Sequence, residues 1–376
     1  MIITIIADVF GRENNGTAIT ARRLIDSLKE RGHEVRVVSP YVTDEQGFYT
    51  VPKRNFYCFN KYVAKNGVEL AKPDKKVLTE AITGCDVVHV MMPFKLGRAA
   101  LKIARKMKLP VTAGFHCQPE NFSSHVHLKD VKAANVFLYK RFNRVLYKHV
   151  DCIHSPSEFI ERELRRHGYK APIRVISNGV APCYKKIESE RPEEIKDYYL
   201  ILFTGRFVGE KRHDLLIKGV AESKYRDKIQ IICAGAGPTQ EHIEALAEKL
   251  GVRKPLIGFH DPEELNRIIN YCDLYVHPAD IEIEAIAALE AITCGLVPVI
   301  NDSERSATRF FARDERNLFD GTPEDLAKKI DYWVEHPEEK AAESKEYIEY
   351  GKRFELGHCI DKMEQMFEDV IKEKKR

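Results

Sequence analysis

Short runs rich in Ile and Val alternate with amphipathic segments from the start of the chain, and the alternation begins twice. The first series reads as strands over residues 2–7, 34–39, 87–91, 111–115, 152–155 and 174–177. Between them, apolar residues at three- and four-residue spacing predict helices such as 17–31, 96–106 and 137–150. The second series places strands at 198–204, 229–234, 254–257, 274–277 and 298–301, and helices at 212–221, 239–250, 262–271 and 284–294. A helix between two strands returns the chain to the same end of the sheet each time, so the strands pair in parallel with helices on both faces. Two such series in 376 residues predict two doubly wound α/β domains. The polar stretch 184–197, with Lys185, Lys186, Glu188, Glu190, Arg191 and Pro192, reads as the linker. The expected division is therefore a domain over 1–190, a second over 191–350, and a terminal helical piece over 351–376. Ligands of such sheets bind at the carboxyl ends of the strands, so the chemistry is expected in the loops just after them.

Composition narrows the class. The nine cysteines are scattered, form no Cys-x-x-Cys pair and in several cases sit inside apolar runs. This pattern predicts reduced thiols in a cytosolic protein, not a disulfide framework or a zinc site. The apolar run at residues 2–6 is too short for a signal peptide. No stretch approaches the roughly 20 apolar residues that a membrane span needs. The net charge of +3 conceals an asymmetry: residues 1–190 hold 32 Lys+Arg and 19 Asp+Glu, a balance of +13, which leaves −10 for the remainder. Cations are densest over 102–148, where ten Lys and Arg face only Glu120 and Asp130. Such a window is either a solvated basic face or a patch for an anionic membrane or acceptor.

Three loops carry groups suited to chemistry. In the segment from Asp280 to Ile300, Glu282 precedes a helix and Glu290 lies about two turns into it. Carboxylates accept paired hydroxyls, as on a sugar ring or a ribose, and helix N-terminal amides seat a diphosphate. The plain reading is a surface helix with acids near its N-terminus, where the dipole favours them. After the first strand of the second series, Gly205 opens a loop with Arg206 and Lys211, two cations placed to clamp a diphosphate or to serve as ordinary surface charges. Between the first strand and first helix, Asn14-Asn15-Gly16-Thr17 is either a glycine turn that lets backbone approach a ligand or a simple helix cap. Gly235-Ala236-Gly237-Pro238 lacks a third glycine and reads as a strand-to-helix turn, so a dehydrogenase with a complete Gly-x-Gly-x-x-Gly fingerprint is excluded.

Taken together, the glycine loop, Arg31-Gly32-His33-Glu34-Val35, Gly114-Phe115-His116, Val175 to Val180, Gly205-Arg206 through Lys211, the Gly235 turn and the Glu282/Glu290 pair followed by Cys294-Gly295 resemble family 4 of the retaining glycosyltransferases. The likeness covers nearly the whole chain. It implies the GT-B fold, two Rossmann-like domains facing each other across a cleft, with residues 355–372 crossing back to the first domain. It implies that Glu290 binds the ribose, Glu282 holds donor-sugar hydroxyls, Arg206 and Lys211 hold the diphosphate, Gly16 passes close to the donor and His116 lies beside the sugar. The leaving diphosphate would help to deprotonate the acceptor. No Asp-x-Asp follows a strand, in keeping with no cofactor and no metal; His125-Val126-His127 reads as incidental. One departure stands out: Glu284 follows where small residues are usual, and it either reads a further hydroxyl or points to solvent.

Gly114 to Ser124, the 282–290 version of the acidic motif and Ser306-Ala307-Thr308 further resemble the diacylglycerol glucosyltransferase subgroup. The expected partners are then a UDP-sugar and a lipid acceptor, with residues 102–148 touching an anionic membrane from the cytoplasmic side, and no nucleic acid. Phe137, Leu138, Phe142, Leu146 and Tyr147 lie among the cations, as an interfacial helix needs, although such a stripe commonly faces a core. The alternatives are a polyprenyl-linked or soluble saccharide acceptor, and a non-catalytic scaffold that only binds the nucleotide sugar.

Overall fold

A computed structural model of the chain describes residues 1–10, 16–55, 70–124 and 131–376. Asn14, Asn15, Cys58, His125, His127, Lys129 and Asp130 lie outside the described residues. The chain divides into two compact units, Met1–Asn178 with Gly357–Arg376, and Gly179–Leu356.

The first unit holds strands β1 (Ile2–Ile6), β2 (Glu34–Ser39), β3 (Phe48–Thr50), β4 (Val87–Val90), β5 (Val111–Gly114), β6 (Cys152–Ser155) and β7 (Ile173–Val175). They form one sheet in the order β3-β2-β1-β4-β5-β6-β7, and every pair is parallel. The second unit holds β8 (Tyr199–Thr204), β9 (Ile229–Ala234), β10 (Leu256–Gly258), β11 (Leu274–His277), β12 (Pro298–Asn301) and β13 (Leu318–Phe319), ordered β10-β9-β8-β11-β12-β13 and again parallel. Strands β4, β5, β6, β9, β11 and β12 are buried along their whole length, as expected where helices cover both faces. In each sheet the strand order reverses once, at β1/β4 and at β8/β11, the positions where doubly wound sheets bind ligands. Strands β3 and β13 were not expected from the sequence. With three and two residues, they are too short to show a period.

The first unit ends at Asn178 rather than at residue 190 because the polar stretch is tied down inside the second unit. Tyr184 is buried there. The backbone N–H groups of Lys185 and Ile187 donate to the side chains of Asn266 and Asn270 at 3.1 and 2.9 Å. Arg191 pairs with Asp273 at 2.7 Å. Polar composition alone did not distinguish a linker from a strap held by side-chain amides.

The terminal helix Leu356–Lys375 packs on the first unit. It buries Cys359, Ile360, Met363, Met366, Phe367 and Val370, one face at helical spacing. Its outer edge is pinned by Arg31 to Asp361 at 2.5 Å, Arg174 to Asp369 at 3.0 Å and Lys374 to Asp151 at 2.9 Å. Phe367 meets the His89 ring edge-on, with centroids 5.4 Å apart.

The basic window of the first unit divides between core and surface. In the helix Lys132–Val145 and the turn after it, Tyr139, Phe142, Leu146 and Tyr147 face the core. Phe142, Leu146 and Tyr147 therefore do not belong to an outward stripe. Phe137 is 63% exposed, and Lys132, Lys140, Arg141 and Arg144 are exposed on the same helix. Among the described residues, no helix is long and apolar enough to cross a membrane.

Burial of Phe367 is expected to dominate attachment of the terminal helix. Phe367→Ala should cost about 3–5 kcal/mol, whereas Arg174→Ala, which removes one exposed pair, should cost at most about 1 kcal/mol. Urea unfolding followed by circular dichroism checks both.

Candidate active site

At the carboxyl end of β8 the chain turns at Gly205, whose N–H donates to the Ala234 carbonyl at 3.0 Å. The turn after β9 presses directly on this loop. Gly235 has a positive φ of 156°, and a Cβ there would lie 2.0 Å from the Gly205 carbonyl oxygen; at Gly237 it would lie 2.6 Å from that of Phe207. The two glycines are thus needed for backbone to approach backbone. The loop continues through a short 3-10 turn, Gly209–Lys211, and enters the helix His213–Glu222 through Arg212 in the left-handed region. This path carries the Lys211 side chain back over the end of the sheet.

The segment after β11 meets it. Asp280 N–H donates to the Glu210 carbonyl at 2.9 Å, and Asp280 is held on its other side by Arg305 at 2.6 Å and by the Ser303 hydroxyl at 2.7 Å. Glu282 forms a single parallel bridge with Ser306, and its carbonyl accepts from Ala307 N–H at 2.9 Å. Ala285 takes a positive φ of 60°, and the helix starts at Ile286, two residues later than the sequence suggested. Glu284 therefore lies in the loop. It is 3% exposed, which removes the reading in which it points to solvent.

Glu282 is the centre of this arrangement. Its carboxylate forms an ion pair with Lys211 and accepts from His277 Nε2 at 3.2 Å, while the Tyr275 hydroxyl donates to His277 Nδ1 at 3.1 Å. Burial alone would raise the Glu282 pKa, but the Lys211 charge and the His277 hydrogen bond overcome it and hold the group at about 2. Burial lowers the His277 pKa against the pull of Glu282, so the ring stays neutral at pH 7. Glu290 sits in the helix Ile286–Thr293 and is also buried. Burial, followed by the charges of Glu282 and Glu290, pushes the Tyr275 hydroxyl well above its ordinary range, so both acids act on one buried ring. Arg206 reaches to 4.0 Å from Glu210, on the same loop as Lys211.

The structure thus brings Lys211, Glu282, Glu290 and Arg206 to one end of the second sheet. His277 and Tyr275, which orient Glu282, were not singled out in the sequence; the available signal was a histidine closing a strand five residues before the acid. The sequence carries no signal for His213. It is buried and stacked on Phe207 at 4.0 Å, and burial lowers its pKa to about 3, so it packs as a neutral ring.

The other two candidates lie in the first unit. Gly16 opens the helix Gly16–Glu30, with open space where a Cβ would stand. His116 follows β5 and folds back over Gly114, where a Cβ would be 2.3 Å from its Nε2. It is buried beside His154, with ring centroids 5.2 Å apart, and burial lowers its pKa well below the ordinary value. His89 and His154, which also went unremarked in the sequence, complete a trio with it.

Two family descriptions match this sequence and together span most of it. "Glycosyltransferase Family 4" matches residues 14–182, and "Glycosyl transferases group 1" matches residues 185–354. The chain belongs to glycosyltransferase family 4. Among relatives of this family, an alpha-monoglucosyldiacylglycerol synthase of Streptococcus pneumoniae is 24% identical over 319 residues, covering 80% of this chain and 70% of that protein. A GDP-mannose-dependent alpha-mannosyltransferase of Corynebacterium glutamicum is 28% identical over 316 residues, covering 80% and 72%. In fold the chain is similar to the Anabaena protein Alr3699/HepE, solved in complex with UDP and glucose, with a TM-score of 0.75 at 14% identity over 98% of this chain and 99% of that one. Its architecture is that of the GT-B glycosyltransferases, in which each unit is a parallel-sheet domain.

The depressed Glu282 pKa has a sign. Its ionised form stabilises the folded unit fully above the ordinary value of 4.5, and that contribution is lost as pH falls toward about 2. Acid unfolding followed by fluorescence of Trp333, the one tryptophan and buried in the second unit, should show this loss, and Glu282→Gln should flatten it. Lys211→Met leaves a buried carboxylate without its cation and should cost about 3–5 kcal/mol at pH 7.

Proposed function

We propose that this glycosyltransferase retains anomeric configuration and moves a hexose from a UDP-sugar to a membrane lipid such as diacylglycerol. The observation that carries the donor half is the buried Lys211–Glu282–His277 arrangement, a fixed cation beside a fixed anion at the switch point of the second sheet. Glu282, kept ionised, accepts hydrogen bonds from hydroxyls of the donor hexose. Glu290 does the same for the ribose. Lys211 and Arg206 face the diphosphate, where negative charge grows as the bond from the anomeric carbon to the diphosphate oxygen breaks. The acceptor oxygen bonds to that carbon on the same face, and its proton passes to the departing diphosphate. The two cations meet this charge, so no metal is required for the step.

The acceptor half rests on the +13 balance of residues 1–190 and on the exposed Phe137 among Lys132, Lys140, Arg141 and Arg144. An apolar ring within a cluster of cations suits the headgroup region of an anionic, cytoplasm-facing membrane, where each cation contributes about 1 kcal/mol. The name of the streptococcal relative supports a glycerolipid acceptor. The corynebacterial relative favours a second donor, GDP-mannose.

Turnover with UDP-glucose, UDP-galactose, UDP-N-acetylglucosamine and GDP-mannose, offered with diacylglycerol vesicles or a soluble saccharide, separates these readings. An α-linked glycolipid formed from a UDP-hexose is expected; transfer from GDP-mannose alone, or to the saccharide alone, overturns the proposal. Glu290→Ala should weaken UDP binding by roughly tenfold or more in calorimetry. Lys211→Ala should lower kcat by about 100-fold with a smaller change in KM. In flotation with anionic vesicles at low salt, the wild type should bind and Phe137→Asp should bind less.

A further inference from the structure

Three strands of the first sheet bring three histidines together. His89 lies on β4 opposite Thr112 of β5, and His154 lies on β6 opposite Gly114 of β5. His116 folds back over Gly114 between them. All three are buried, and one ring nitrogen from each lies within 4.8 Å of the other two. Each ring also has a buried nitrogen that meets no hydrogen-bond partner: His89 Nε2, His116 Nε2 and His154 Nδ1. The remaining nitrogens of two rings are engaged. His154 Nε2–H donates to the Ile176 carbonyl at 2.7 Å, which leaves a lone pair on Nδ1, and His89 Nδ1 lies 2.8 Å from the Thr112 hydroxyl, an arrangement in which Nδ1–H donating would leave the lone pair on Nε2.

A buried polar nitrogen without a partner costs about 1–3 kcal/mol, and this cluster holds three. Outer hydrogen bonds that fix tautomer and ring orientation are what metal-binding histidines carry. We propose that His89 Nε2, His116 Nε2 and His154 Nδ1 bind one divalent transition-metal ion, with Zn²⁺ the best fit to an all-imidazole set. Tetrahedral Zn–N bonds of about 2.05 Å put ligand nitrogens roughly 3.3 Å apart, so each ring must move inward by at most ~0.8 Å. A cavity of about 20 Å³ adjoins His116 and His154 under Cys359, Ile360 and Met363 of the terminal helix. It has room for the one water that completes four-coordination. The ion's role is structural: it fastens β4, β6 and the turn after β5, and with them the His116 ring. This proposal does not depend on the donor or acceptor assigned above.

The test uses the full chain, stripped with a chelator and titrated with Co²⁺ as the spectroscopic substitute for Zn²⁺. One Co²⁺ per chain, with the visible bands of a low-coordinate site that Zn²⁺ bleaches, is expected. His89→Gln and His154→Gln, each removing a direct ligand, should each weaken uptake by more than the roughly 10–100-fold that loss of an outer partner costs, while His242→Gln, at the exposed surface of the second unit, should not change it. No stoichiometric uptake, as when the trio holds only a water, overturns the site, and so does uptake that survives both substitutions. If those variants do not fold, X-ray absorption on the Co²⁺-loaded wild type decides: three imidazole nitrogens support the site, and an all-oxygen shell overturns it.

Discussion

Glu282 is a carboxylate taken almost wholly out of water, and such a group stays ionised only against a cation and a hydrogen-bond donor. Lys211 and His277 supply these from two different strand ends. The rest of the second unit's loop architecture follows from that requirement. Lys211 arrives only because Gly205 and Arg212 turn the chain and because the glycines after β9 let their turn lie against it. Glu282 is held in place by its bridge to Ser306 and by the Asp280 contacts to Glu210, Ser303 and Arg305. A diphosphate bound here would meet a cation whose position is already set by the protein, so little reorganisation is left for the moment of reaction.

The first unit is organised differently. Its cations lie outside, on helices such as Lys132–Val145, while the carboxyl ends of β4 and β6 and the turn after β5 bury histidines. The terminal helix closes over that region with an apolar face of Met, Ile and Phe, and exposed ion pairs add little to what this burial contributes. The basic surface and the histidine cluster are therefore separate features of one unit, the first suited to an anionic interface and the second to internal cohesion.

Much of the charged cluster at the end of the second sheet could be read from residue order. Glu282, Glu290, Arg206 and Lys211 each follow a strand of the second series, and parallel sheets collect their strand ends on one side. The supporting residues were not legible. His277 and Tyr275 sit in an apolar strand where any buried ring would fit, and only the fold shows that they orient a carboxylate. Glu284 was ambiguous because a loop of unknown path can turn an acid either way. Phe142, Leu146 and Tyr147 were ambiguous because interfacial and core stripes share one periodicity.

By itself, the sequence determined two parallel doubly wound sheets, the loops that carry the clustered charges of the second sheet and a basic first half. All three follow from local period and composition, which need no knowledge of distant neighbours. Tertiary structure alone decided where the units divide, which rings of the basic window are exposed, and that His89, His116 and His154 converge. Each of those depends on contacts between residues far apart in the chain: Asn266 with Lys185, the packing of Phe142 and Tyr147, and three adjacent strands brought into one register. Spacing along a sequence does not encode such contacts.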